Sequence, residues 1–204
     1  FTDTPTLEAI AEIPEVVPYL DMPIQHASDP VIQRMRRAPG VDGIRRVLME
    51  ARRRIPDVTL RTTVMVGFPG ETDEIFDELY NFVKEAEFDH LGGFIYSPEQ
   101  GTSAARLETA VEKRVAKERL EAIMSLQGQI SERKNQEMLG HIVSVLVEGV
   151  SPETDLLLKG RTATMAPDVD GQVLINKGKA VIGEIAPVRI TEAHTYDLVG
   201  EIVQ

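Results

Sequence analysis

Three short segments hold the groups best suited to chemistry: Gln25-His26-Ala27-Ser28, Gly67-Phe68-Pro69-Gly70-Glu71-Thr72 and Tyr96-Ser97-Pro98-Glu99. All three are polar or glycine-rich. Glycines at 67 and 70 would let a backbone approach a ligand, and N–H groups exposed beyond a strand can receive a carboxylate or a ribose. Taken singly, each feature also has a plain structural explanation. Gly-Phe-Pro-Gly alone is a tight turn. His26 alone is a hydrogen-bonded loop histidine, and Glu71, a potential general base, sits where a carboxylate complements the start of a helix. The chain has four His with no close pair, so a histidine metal site is not expected. It has no Cys, which excludes disulfides, thiolate zinc, catalytic thiols and cysteine-ligated iron–sulfur clusters in these residues. Spacing yields no Ser/His/Asp set and no phosphate-binding loop.

Each segment follows a stretch that reads as a β-strand. Residues 17–24 (VPYLDMPI) are short and apolar, 58–66 (VTLRTTVMV) are β-branched, and 90–97 (HLGGFIYS) carry a Gly92-Gly93 pair that implies a bulge or a close backbone approach. Helical patterns alternate with these strands. A short one covers Thr6–Ile13, and Ser28-Asp29-Pro30 signals another start, with Ser28 as cap. Ile44, Val47, Leu48 and Ala51 stripe a helix over 42–54, whose other face carries Arg45, Arg46, Arg52, Arg53 and Arg54 as a solvated face. Thr72 caps a helix striped by Ile75, Phe76, Leu79, Phe82 and Val83. A long helix is expected from about Thr109 to Leu139, with Leu120, Ile123, Met124 and Ile130 inward and Gly140 as its stop. Beyond residue 140 the texture changes to short β-rich runs: HIVSVLVEG, TDLLLKG, RTATM, GQVLINK, AVIGEIAPVRIT and YDLVGEIV. They are the pattern of a small barrel or sandwich. The expected domains are therefore 1–139, an α/β unit with parallel βαβ connections, and 140–204, all-β. In such α/β units ligands sit at the C-terminal ends of strands, where all three segments fall.

The chain has 204 residues, 22 Lys+Arg, 33 Asp+Glu and a net charge of −11, with 42% hydrophobic residues. This is ordinary globular composition; no apolar run suits a membrane span and no signal peptide opens the chain, so a cytoplasmic protein without a membrane partner is expected. Residues 140–204 contain five Lys/Arg, nine Asp/Glu and one aromatic, Tyr196. An acidic barrel poor in stacking platforms suits a basic protein better than single-stranded RNA. Residue 1 is Phe, and a lone three-stranded parallel sheet leaves two long edges. A piece of something longer is expected, and alone it should aggregate or dimerise.

The segments 19–28 (YLDMPIQHAS), 35–37 (MRR), 60–72 (LRTTVMVGFPGET) and 94–102 (FIYSPEQGT) together resemble, in order and spacing, the radical S-adenosylmethionine (SAM) methylthiotransferases. The all-β segment resembles the TRAM domain that ends these enzymes. The resemblance implies the last three strands of a parallel β/α radical-SAM-type barrel followed by a small TRAM (OB-like) barrel. One branch of the family modifies adenosine in tRNA. The other, the RimO type, adds a methylthio group to the β-carbon of an aspartate in small-subunit ribosomal protein S-twelve. The tRNA branch usually has Gln-Ser-Gly, Thr-Asp and Tyr-Ser-x-Arg where this chain has Gln25-His26-Ala27, Thr62-Thr63 and Tyr96-Ser97-Pro98-Glu99, and residues 161–171 (RTATMAPDVDG) also look like the RimO version. The resemblance thus favours the RimO branch, with the basic ribosomal protein docking on the TRAM domain and tRNA as the lesser alternative. A non-enzymatic TRAM-containing binding module is the other reading, and Phe1 argues against it.

The family carries SAM and two four-iron–four-sulfur clusters held by cysteines that this chain lacks. The chain is therefore expected to bind no metal, to contain no catalytic residue of its own and to be inactive alone, while forming one wall of the SAM pocket. The resemblance implies Gln25 and Arg61 at the methionyl end, the backbone of Gly67, Phe68, Pro69 and Gly70 along ribose or adenine, and Tyr96 at the border.

Overall fold

The computed structural model describes residues 3–107, 110–152 and 154–203. It resolves into two compact units, 1–127 and 128–204.

The first unit begins with α1 (Thr4–Glu12), where Asp3 caps the Thr6 N–H. Strand β1 (Tyr19–Asp21) leads to α2 (Asp29–Arg34) and α3 (Val41–Arg54). Strand β2 (Thr59–Val66), α4 (Asp73–Ala86) and β3 (His90–Ile95) follow. A long helix, α5 (Lys113–Glu137), starts in this unit; Thr109, the expected start, lies outside the described residues. The three strands form one parallel sheet in the order β1-β2-β3, the βαβ pattern that the alternating sequence implies. Leu60, Thr62, Val64 and Val66 alternate into the buried side of β2, packed with Ile44, Leu48, Leu79, Phe82, Val83 and Ile123 as core. Arg61, Thr63 and Met65 take the less buried face. Gly92 and Gly93 keep regular register with β2, so there is no bulge. Gly93 instead permits a close approach: a Cβ there would lie 2.6 Å from Leu120 Cδ1 on α5.

Two local expectations change. Residues 17–24 are not one continuous strand, because Pro23 has no N–H to give the ladder. The buried Thr62 hydroxyl patches the gap: it accepts the Ile24 N–H (3.2 Å) and donates to the Met22 carbonyl (2.9 Å). Pairing resumes at Gln25, opposite Val64. The Ser28 side chain does not cap α2; Asp29 instead accepts the Val41 N–H at the start of α3.

The second unit is a closed barrel of β4 (Ile142–Ser151), β5 (Thr154–Arg161), β6 (Val173–Lys177), β7 (Ile185–Ala193) and β8 (Leu198–Ile202), in the order β4-β5-β6-β8-β7. All pairs are antiparallel except β6 with β8, and β7 returns to β4. Val145, Val147, Val173, Ile175, Val188, Ile190 and Leu198 fill the interior. The run RTATM is not a strand beyond Arg161. Thr162 and Thr164 bond one another's hydroxyls, and the turn delivers Met165 into the core. Residues 180–184 are likewise turn, and β7 begins only at Ile185.

Candidate functional site

The three segments singled out in the sequence meet at the C-terminal ends of β1, β2 and β3. Gln25 takes a positive φ of 66°, a left-handed conformation that costs free energy for any residue but glycine. Its backbone is held from both sides: its N–H donates to Thr63 O (2.9 Å) and its carbonyl accepts from Met65 N (2.7 Å). The chain can therefore leave the sheet sharply with the Gln25 side chain at the site. His26 is fully buried, and its Nδ1 accepts the Ser28 N–H (3.1 Å), so the neutral ring carries its proton on Nε2.

The turn after β2 is built around Glu71. Gly67 (φ 74°) and Gly70 (φ 83°) supply the left-handed conformations. Glu71 Oε2 accepts the Gly67 N–H at 2.9 Å and lies 3.4 Å from His26 Nε2. Arg119 Nη1 donates to Glu71 Oε1 (2.8 Å) and to the Glu71 carbonyl (3.0 Å), and its Nη2 reaches Asp73 Oδ1 (2.6 Å). The Glu71 side chain is 0% exposed and that of Arg119 8%. Glu71 thus latches the turn shut, and it lies before α4 rather than in its first turn. A Cβ at Gly67 would lie 2.7 Å from Ala116 Cβ, so close packing against α5 already requires glycine there.

Beside the turn lies a cavity of about 490 Å³, within the roughly 300–1,000 Å³ usual for small-molecule sites. Gln25, Met65, Phe68, Phe94, Tyr96 and Glu99 are among its walls, with Arg34, Met35 and Arg37 from the end of α2. Phe68 and Tyr96 meet edge to face with ring centres 5.1 Å apart. The Tyr96 hydroxyl is buried and has no hydrogen-bond partner among the described residues. A smaller cavity of about 310 Å³ is bordered by Gly67, Pro69, Tyr96, Pro98 and Leu107.

Of the residues expected at a site, the structure brings Gln25, Phe68 and Tyr96 to the larger cavity and Gly67, Pro69 and Tyr96 to the smaller. Gly70 turns its carbonyl to Arg34 Nη1 (3.0 Å). Arg61 lines neither cavity; its Nη1 bonds Asp21 Oδ2 at 2.8 Å across the β1–β2 pair. Arg34 and Arg119 escaped the sequence reading. Arg34 was readable as a cation ending a short helix just after a strand end, whereas Arg119 meets Glu71 across 48 residues and left no local signal. The aromatic and apolar walls, the Gln25 amide and the Tyr96 hydroxyl give this cavity the mix of apolar and polar surface that small-molecule sites have. Among the described residues no three His, Cys, Asp or Glu side chains gather as metal ligands, and no helix is long and apolar enough to cross a membrane.

Residues 2–83 match the radical SAM superfamily and residues 139–203 the TRAM domain. The protein named ribosomal protein uS12 methylthiotransferase RimO of Geobacter sulfurreducens is 48% identical over 97% of this chain and 44% of its own length. Its namesake in Pelobacter propionicus is 49% identical over 95% of this chain and 43% of its own. The chain belongs to the radical SAM methylthiotransferase family. It spans a little under half the length of these curated relatives. Among solved structures, coproporphyrinogen III oxidase (HemN) from Escherichia coli, a radical SAM enzyme, overlaps at a TM-score of 0.49 and 20% identity, covering 57% of this chain and 27% of that one.

In methylthiotransferase terms, the first unit carries three parallel strands of the radical SAM fold and the barrel carries the TRAM match. Tyr96 lies outside the matched radical SAM span yet borders both cavities. Membership implies SAM and four-iron–four-sulfur clusters. The larger cavity fits SAM: its size, its aromatic walls and the orphaned Tyr96 hydroxyl suit a nucleoside with polar edges. The clusters do not fit this chain's own residues, because it contains no Cys.

Proposed function

We propose that the protein carrying this chain is a RimO-type methylthiotransferase, which adds a methylthio group to the β-carbon of an aspartate in ribosomal protein uS12 in the cytoplasm. The observation that carries this reading is 48% identity over 97% of the chain to a protein of that name. Residues 1–139 supply a wall of the SAM cavity and residues 140–204 the TRAM domain that receives the basic ribosomal protein. Gln25, Phe68 and Tyr96 face the cofactor. Gln25 offers an amide donor and acceptor to the methionyl end, Phe68 and Tyr96 exclude water from the adenosine, and the Tyr96 hydroxyl gains a partner when SAM binds. The turn from Gly67 to Gly70, fixed by Glu71, sets the position of Phe68. When bound, SAM supplies the methyl group and the radical chemistry of the family. The two clusters are held by cysteines outside this chain, so these residues alone are inactive.

The test is to reconstitute the full-length protein with iron and sulfide and incubate it with SAM, a reductant and either uS12 or tRNA. Mass spectrometry then reads which is methylthiolated. Modified aspartate in uS12 is the expected result. Modified adenosine in tRNA would transfer the assignment to the sister branch, and no product on either would remove it.

A further inference from the structure

We propose that one end of the barrel, made by the β4–β5 hairpin and the turn from β6 to β7, is the surface on which the acceptor protein docks. The proposal rests on the function proposed above, in which the acceptor is a basic protein, and it adds which surface receives that protein.

Topology brings the two loops together. β4 and β7 are antiparallel, so the C-terminal end of β4, where the hairpin turns, lies beside the N-terminal end of β7, where the turn arrives. The turn is fastened there: the Val147 N–H donates to the Glu184 carbonyl (3.0 Å), and the Gly183 N–H donates to the Val147 carbonyl (2.8 Å). The hairpin end carries a bulge. Ser151 pairs with Thr154 and Val150 with Leu158, so Asp155, Leu156 and Leu157 stand opposite a single step of β4. The Thr154 hydroxyl accepts the Leu156 N–H at 3.3 Å and helps to fix that shape.

Both loops turn large apolar side chains to solvent. Leu156 is 87% exposed and Ile185 71%, and Val150, Val181 and Ile182 are exposed as well. Exposed apolar residues scattered singly are ordinary, but five gathered at one end of a small barrel mark an interaction surface. Its rim is acidic. Asp155 and Glu184 are exposed and have no ion-pair partner among the described residues, and Glu153 adds a carboxylate by sequence. Of the cations beside them, Lys177 is taken up by Glu201 at 3.1 Å. An apolar centre with an acidic rim fits a basic protein: the centre supplies contact area, and the rim selects the sign of the partner's charge. RNA fits less well. Residues 147–158 and 177–185 contain no aromatic side chain on which a base could stack, and their carboxylates repel phosphate.

The test uses the full-length, reconstituted protein and intact uS12 freed of RNA. Hydrogen exchange is followed by mass spectrometry with and without uS12, and segments 148–158 and 178–186 are expected to exchange more slowly in the complex. Leu156→Ser, which removes an exposed side chain and nothing of the core, should weaken uS12 binding about tenfold, the effect of one leucine no longer covered. Ile185→Ser should act likewise, and Glu184→Lys should weaken binding more at low salt than at high salt. Val169→Ser removes an exposed valine from the connection between β5 and β6, at the opposite end of the barrel, and should leave the affinity in place. Binding of uS12 without slower exchange in the two loops overturns the proposal alone, as does an equal loss from Val169→Ser. Loops already protected in the full-length protein without uS12 would be covered by the rest of the enzyme or, if the protection grows with concentration, by a second copy, and either result overturns it. A wild type that binds no uS12 would defeat the proposed function itself.

Discussion

Replacing Glu71 by Gln tests whether the turn after β2 is held by a buried charge. The variant keeps the volume and leaves one oxygen for the Gly67 N–H, but removes the charge 2.8 Å from Arg119 Nη1. Breaking a buried ion pair from one side costs about 3–5 kcal/mol. Here Asp73 still meets the other arm of Arg119, which is 8% exposed and can draw in water. The lower end, about 3 kcal/mol, is therefore expected. With a urea slope of about 2 kcal/mol/M, the unfolding midpoint should fall by about 1.5 M. Far-UV circular dichroism against urea reads the shift. The Arg45–Glu85 pair, whose side chains are 45% and 58% exposed, is the internal control: Glu85→Gln should cost under about 1 kcal/mol, as exposed pairs do. A Glu71→Gln loss no larger than that of Glu85→Gln would refute the reasoning.

Three further outcomes are expected. Thr62→Val keeps shape but strips the Ile24 N–H and the Met22 carbonyl of their shared partner; it should cost about 1–3 kcal/mol in denaturation and speed exchange of the Ile24 amide. Gly160→Ala places a Cβ 2.3 Å from the Leu146 carbonyl in the paired strand, where backbone cannot yield; the barrel should lose about 1–3 kcal/mol, read by thermal unfolding. Hydrogen bonds from Arg53 and then Arg54 lower the Glu50 carboxyl from 4.5 to about 2. Its contribution to stability is full above pH 4.5 and fades as pH falls toward 2, and an NMR titration of Glu50 with a midpoint above 4 would contradict it.

Much of the architecture was legible because it rests on local periodicity. The stripe of Ile44, Leu48 and Ala51 marks α3, Thr72 accepts the Ile75 N–H as a cap should, and the β-branched run before Gly67 is β2. What was not legible depends on partners far along the chain. Nothing near Pro23 announces that Thr62 will mend the broken ladder. RTATM reads as strand by composition, yet the Thr162–Thr164 bond and the burial of Met165 decide otherwise. The candidate site was legible in outline, since Gln25, Phe68 and Tyr96 share one cavity, but Arg61 is drawn off by Asp21. The latch of Glu71 and Arg119 needed the folded chain.

Each strand of the second unit is hydrogen-bonded to a neighbour on both sides, because β7 pairs back to β4. Around its closed girth the unit therefore offers no open ladder to an extended peptide; the β4–β5 hairpin runs past that girth, since the register of β4 with β7 ends at Leu146 and that of β5 with β6 begins at Leu158. A peptide that docked on this unit by main-chain pairing would have to do so along that hairpin, and methylating the peptide's own backbone amides should then weaken its binding.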